Sequence, residues 1–164
     1  MTIAAFEAQA SWLPQVTGMV CTAVQTDGAQ LISLHFGEVR ETEEGDIEGQ
    51  RTISLEGAWR IEHGNEVTAG SADPDEEREP YLQDLVERSL ERFEVTRPGY
   101  DLTLYFHDGY IVRSFPIDSL EHADEIEDPE DVEVSWWVTG DGIPDDWETP
   151  NASKTSTPLA APSS

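Results

Sequence analysis

The chain is short of positive charge: 9 Lys and Arg stand against 35 Asp and Glu in 164 residues, a formal net charge of −26. A field of that sign repels nucleic-acid phosphates and anionic lipid surfaces and favours basic partners or cations. Cysteine is nearly absent. Cys21 stands alone, which excludes an internal disulfide and a zinc-finger ligand set; inside an apolar run it reads as a small buried side chain rather than a nucleophile. No run of apolar residues is long enough for a membrane-spanning helix. Met1 to Gln15 has neither a positive leader nor an apolar stretch of signal-peptide length, so the expected location is the cytoplasm. Catalytic signatures are missing as well: there is no Gly-rich phosphate loop, no G-x-S-x-G elbow, no H-E-x-x-H and no C-x-x-C. An enzyme is therefore not the expected class. His35, His63, His107 and His122 show no metal-ligand spacing and read as solvated or locally bonded side chains, so no cofactor is expected.

What remains is enough for one domain, since a chain of this length buries roughly 70% of its unfolded surface. The hydrophobic fraction is 37% and includes Trp12, Trp59, Trp136, Trp137 and Trp147, which are costly to leave in water. The expected fold class is α+β, mainly antiparallel β meanders with one principal helix packed on the sheet, spanning residues 1–148 as a single acidic domain. Residues 149–164 are Ser, Thr, Pro, Ala and little else; this tail is expected to be disordered, because it offers too little apolar surface to offset its ordering entropy.

Along the chain, Ile3 to Leu13 suits a short helix stopped by Pro14. Val16 to Thr26 reads as strand, Asp27-Gly28 as a turn, and Gln30 to Gly37 as a strand with Ile32, Leu34 and Phe36 on one face and His35 on the other. Glu38 to Gln50 is acidic and reads as an exposed loop or a long edge hairpin. Short strands follow at Thr52 to Leu55, Ala58 to Glu62 and Glu66 to Ala69, with His63-Gly64-Asn65 as a turn. Ser71 to Glu79 reads as an acidic loop, and the principal helix as Pro80 to Ser89, with Leu82, Leu85 and Val86 on its stripe. Leu90 to Thr96, Tyr100 to Phe106 and Tyr110 to Phe115 form a meander joined by Arg97-Pro98-Gly99 and His107-Asp108-Gly109. The strand Val132 to Val138 places Trp136 with Val132, Val134 and Val138 on one face and Trp137 on the other. The two halves also line up at an offset of 70 residues: Val20, Ala23, Ile32, Ser33, Leu34 and Phe36 match Leu90, Phe93, Leu102, Thr103, Leu104 and Phe106. Duplication of one meander and the chance likeness of alternating strands both fit, and Val24 against Glu94 is a misfit.

The pattern of alternating strands from Leu90 to Val138, with D-L-T-L-Y-F-x-D-G and S-W-W-V, resembles small bacterial domains of unknown function and the immunity proteins of polymorphic toxin systems. The resemblance implies a small α+β interaction domain, and an acidic one of this kind suits a toxin's basic face. Asp141-Gly142-Ile143-Pro144-Asp145-Asp146-Trp147-Glu148 resembles the second half of thrombospondin type 3 calcium loops, which makes Asp141, Asp145 and Glu148 candidate Ca²⁺ ligands. Trp137 and Thr139 occupy the first two ligand positions of that loop, so half of the cage is missing.

The expected function is thus non-catalytic binding of a protein with a basic surface, as an immunity protein, inhibitor or assembly subunit. Glu121, Asp124, Glu125, Glu127, Asp128, Glu130 and Asp131 would steer the partner, and an exposed Trp137 would anchor it. Three alternatives stay open: a DNA mimic that inhibits a nucleic-acid-binding protein, a Ca²⁺-stabilised structural module and, ranked last, a small hydrolase using a carboxylate pair. Composition also leaves open whether the acidity serves a partner or general solubility.

Overall fold

A computed structural model of the chain describes residues 3–28, 31–96, 101–115 and 135–143. Two antiparallel sheets carry the fold. The first has the order β1-β2-β3-β9 and the second β5-β4-β8-β7-β6, built from β1 (Cys21–Asp27), β2 (Leu31–Glu41), β3 (Ile47–Glu56), β4 (Ala58–His63), β5 (Glu66–Gly70), β6 (Leu90–Thr96), β7 (Asp101–Phe106), β8 (Tyr110–Phe115) and β9 (Trp136–Gly140). Strict alternation sends Ile32, Leu34 and Phe36 of β2, Ile53 and Leu55 of β3, and Trp136 and Val138 of β9 inward. There they join Trp59, Ile61, Leu102, Leu104, Phe106 and Val112 of the second sheet in one core. None of the described helices is long and apolar enough to cross a membrane.

Among the described residues a short helix stands near the start, where one was expected, and the principal helix expected over Pro80 to Ser89 is instead a short one that begins earlier. The helix α1 (Ile3–Ala10) ends before a 3-10 turn at Leu13–Gln15, and its Gln9 Oε1 accepts the Val138 N–H of the edge strand β9 at 2.9 Å. The second helix, α2, spans Asp75–Gln83, so it begins inside the segment expected to be an acidic loop. Pro74 has the extended backbone of an N-cap, and Asp75, Glu76 and Glu77 fill the first turn, where negative charge favours the helix dipole. Pro80 lies inside this helix rather than at its start, and Leu85 falls in the turn beyond its end. Arg78 fixes α2 to the body: its guanidinium donates to Ser71 O and Gly28 O, each at 3.2 Å, meets Asp75 at 2.8 Å and lies over the Trp59 ring.

The registers of the two halves correspond. Phe36 faces Cys21 as Phe106 faces Leu90, Leu34 faces Val24 as Leu104 faces Phe93, and both hairpins shift register after their first pair. Residues of β2 and β7 therefore match at the expected offset of 70, while β1 and β6 match at 69. The shift sets Val24 against Phe93 and Gln25 against Glu94, which removes the misfit seen in the ungapped comparison. Contacts between the halves are reciprocal. Val20 bridges Ser89; Cys21 N–H donates to Arg88 O at 2.9 Å, and Leu90 N–H to Met19 O at 3.0 Å. Phe36 and its counterpart Phe106 stack with centroids 6.1 Å apart.

The fourth strands cross over. β4 follows β3 in the chain yet pairs with β8, whereas β9 follows β8 and pairs with β3. Trp136 thereby lies opposite Leu55, and Trp59 opposite Ser114, at matching places in the two sheets. Each half's fourth strand completes the other half's sheet.

Candidate functional site

The acidic run Glu121, Asp124, Glu125, Glu127, Asp128, Glu130 and Asp131 lies outside the described residues, as do the tail 149–164 and the candidate ligands Asp145 and Glu148. Trp137 lies on the outer face of β9, paired with Ser54, and is half-buried rather than exposed. Asp141 sits in the turn after β9 with its carboxylate 3.0 Å from Arg40 Nη2. Among the described residues no group of three or more His, Cys, Asp and Glu side chains is placed to hold a metal.

The outer face of the first sheet carries a feature that the sequence did not single out. Period-2 alternation turns Gln25, Ser33, His35, Thr52, Ser54 and Thr139 away from the core, side by side across four strands. They floor a groove of about 740 Å³, a volume in the range of small-ligand and peptide-side-chain sites. Its wall is the β2–β3 hairpin, which projects beyond the sheet. A register shift between Phe36 and Val39, with Gly37 at φ +79°, redirects the hairpin. Gly49 lets its two arms close on the floor, since a Cβ there would stand 2.8 Å from His35 Cβ.

His35 locks this wall to the floor. It is 3% exposed; its Nδ1 accepts the Gly49 N–H at 3.1 Å and meets Thr52 Oγ1 at 2.9 Å. Because Nδ1 accepts, the ring proton sits on Nε2 and is donated to Gln25 Oε1 at 2.9 Å. Burial pushes the imidazole pKa below its ordinary value, with Glu48 opposing that shift, so the neutral ring is favoured. With both nitrogens engaged, His35 holds structure rather than acting as a base. Ser33 and Ser54 share a hydrogen bond at 3.2 Å. Cys21, the only thiol, faces the core, and burial pushes its pKa up to about 12, so it is no thiolate at neutral pH.

Charge is confined to the groove's rim. Among the described residues Asp27, Asp46, Glu48 and Asp141 line it together with one guanidinium, that of Arg40, which bridges Glu48 at 3.4 Å and Asp141 at 3.0 Å. Hydrogen bonding to Asp141 and the nearby carboxylate charges raise the Arg40 pKa. Behind the rim, Arg51 donates to Asp141 O at 3.1 Å and to Gln15 O at 3.0 Å, which fixes the backbone of the turn after β9.

The matching face of the second sheet is filled by its own side chains. By register, Thr103, Tyr105, Ile111, Arg113, Arg60 and Glu62 stand where the first sheet has Ser33, His35, Thr52, Ser54, Trp137 and Thr139. Glu62 accepts from Arg60 Nε and from Arg113 Nε at 2.7 Å each. Burial pulls the Glu62 carboxyl pKa up, but these two guanidinium groups outweigh it and hold it below the usual value. Tyr105 donates to Glu94 at 2.8 Å and lies under Arg92. The β7–β8 connection is also shorter by eleven residues, as Leu104–Val112 against Leu34–Ile53 shows. Among the described residues one face carries its own ion-pair network, and the other holds a groove walled by the β2–β3 hairpin and rimmed with carboxylates. A scan against protein-family models, a search of curated proteins and a search of solved structures each return no match.

Proposed function

We propose that the chain is a non-catalytic binding module that holds a protein with a basic surface, acting as an immunity protein, inhibitor or assembly subunit in the cytoplasm. The observation that carries this reading is the contrast between the two outer faces. Where the second sheet covers itself with a Glu62–Arg60–Arg113 network, the first presents short neutral donors and acceptors under a carboxylate rim. Short hydroxyl and amide side chains supply hydrogen bonds without filling space, and rim carboxylates favour and steer a cationic partner. Both nitrogens of His35 are engaged and the Cys21 thiol is protonated at neutral pH, which supports binding over nucleophilic chemistry. A low-salt pull-down tests it. Proteins retained by the wild type should be basic and should be lost when Thr139→Trp fills the groove; retention unchanged by that substitution would refute the reading.

The same reading includes a duplication in which the two halves exchange their fourth strands. Matched bulges, reciprocal hydrogen bonds around Val20 and Ser89, and the paired positions of Trp59 and Trp136 support it. On this view one copy kept a closed outer face and the other, with its longer hairpin, became the binding face.

A further inference from the structure

We propose that Arg40 is a resident occupant of the groove's rim, holding the place taken by an arginine of a basic polypeptide segment when the partner binds. The inference rests on the groove being the binding face. The rim's charge selects the occupant: among the described residues Asp27, Asp46, Glu48, Asp141 and one arginine, Arg40, line the cavity, and Arg40 bridges Glu48 and Asp141. Arg40 reaches Asp141 from the projecting arm of β2, and its side chain is 54% exposed. A bridge so wetted is weak and readily exchanged. The backbone that carries the carboxylates it would release stays in position. Arg51 holds the backbone of Asp141 from behind, and the Gly49 N–H bond to His35 anchors the strand next to Glu48. A planar guanidinium bridges two separated carboxylates, which a compact ammonium does less well, so an arginine fits the exchange better than a lysine.

The test is calorimetric titration of the full chain with nona-arginine and nona-lysine peptides at low salt. Arg40→Ala should tighten nona-arginine about threefold or more, the scale of one exposed ion pair released, and should tighten nona-lysine less. Arg92→Ala removes the same charge from the outer side of the second sheet and should leave the affinity near that of the wild type. If Arg40→Ala weakens binding or leaves it unchanged, or if Arg92→Ala tightens it equally, Arg40 is a strut or only a charge, and the inference is overturned. Thr139→Trp separates this from failure of the groove itself, because peptide affinity that survives a filled groove overturns both readings. Should Thr139→Trp fail to fold by circular dichroism, Ser33→Phe serves the same purpose.

Discussion

The crossed pairing of β4 with β8 and of β9 with β3 makes a quantitative prediction about three tryptophans. Trp136 is fully buried beside Leu55 and Trp59 is 2% exposed at the matching place in the other sheet, so truncation of either to Ala leaves a large cavity. Such changes cost about 3–5 kcal/mol, a large part of the roughly 5–15 kcal/mol that holds a domain of this kind folded. With a urea dependence of about 2 kcal/mol per molar, the midpoint should fall by about 2 M for Trp136→Ala and for Trp59→Ala. Trp137 lies half-buried on the opposite face, and Trp137→Ala should cost only about 1 kcal/mol, or roughly 0.5 M by the same conversion. Because β9 completes the sheet of β1 to β3, and β4 that of β6 to β8, both truncations should still unfold in one transition, with far-ultraviolet circular dichroism and tryptophan fluorescence coincident. A larger loss from Trp137→Ala would mean that β9 presents the other face. Two separated transitions in either buried variant would mean that the sheets are not coupled through β4 and β9.

The depressed pKa of His35 gives stability that is complete above the unfolded value near 6.5 and is lost as pH falls from there toward the folded pKa. Urea midpoints should therefore drop between pH 7.5 and 5.5, and His35→Gln should flatten that slope; an equal slope in the variant would assign it elsewhere. Gly140→Ala should destabilise by about 2 kcal/mol, since φ is +126° and a Cβ there would meet Gln50 O and, at 2.7 Å, Arg51 Cα. Gly45→Ala, with φ +89° but open space around it, separates backbone strain from the clash when thermal midpoints are compared. Submillimolar Ca²⁺ should leave the melting temperature unchanged, because the Asp141 carboxylate is engaged by Arg40; a saturable rise abolished by Asp145→Ala would restore the calcium-loop reading.

Local pattern made the strand faces legible. The inward set Ile32, Leu34 and Phe36, the pair Trp59 and Ile61, and Trp136 against Trp137 all follow from alternation. The turns at Gly64-Asn65 and Asp108-Gly109 take the positive φ that their residues favour. The helix start was misplaced because Pro80 looked like a first-turn proline, whereas the acidic first turn and Pro74 set the boundary earlier. The crossed pairing was not legible, since joining β3 to β9 brings together residues more than eighty positions apart and no local preference encodes it. The groove left one overlooked trace. In a chain with 35 acidic residues, the outward rows end in Asp27 and Glu56 beside Leu31, and the stretch between, Gln25, Ser33, His35, Thr52, Ser54, Trp137 and Thr139, carries no carboxylate.

Whether the outer face of the first sheet is the binding face is read residue by residue from amide chemical shifts of the isotope-labelled full chain titrated with nona-arginine. Shifts should concentrate at Gln25, Gly49, Ser54, Thr139 and Asp141, while Glu62, Tyr105 and Arg113 on the second sheet stay in place. Shifts centred on the second sheet, or spread evenly over every acidic segment, would contradict that reading.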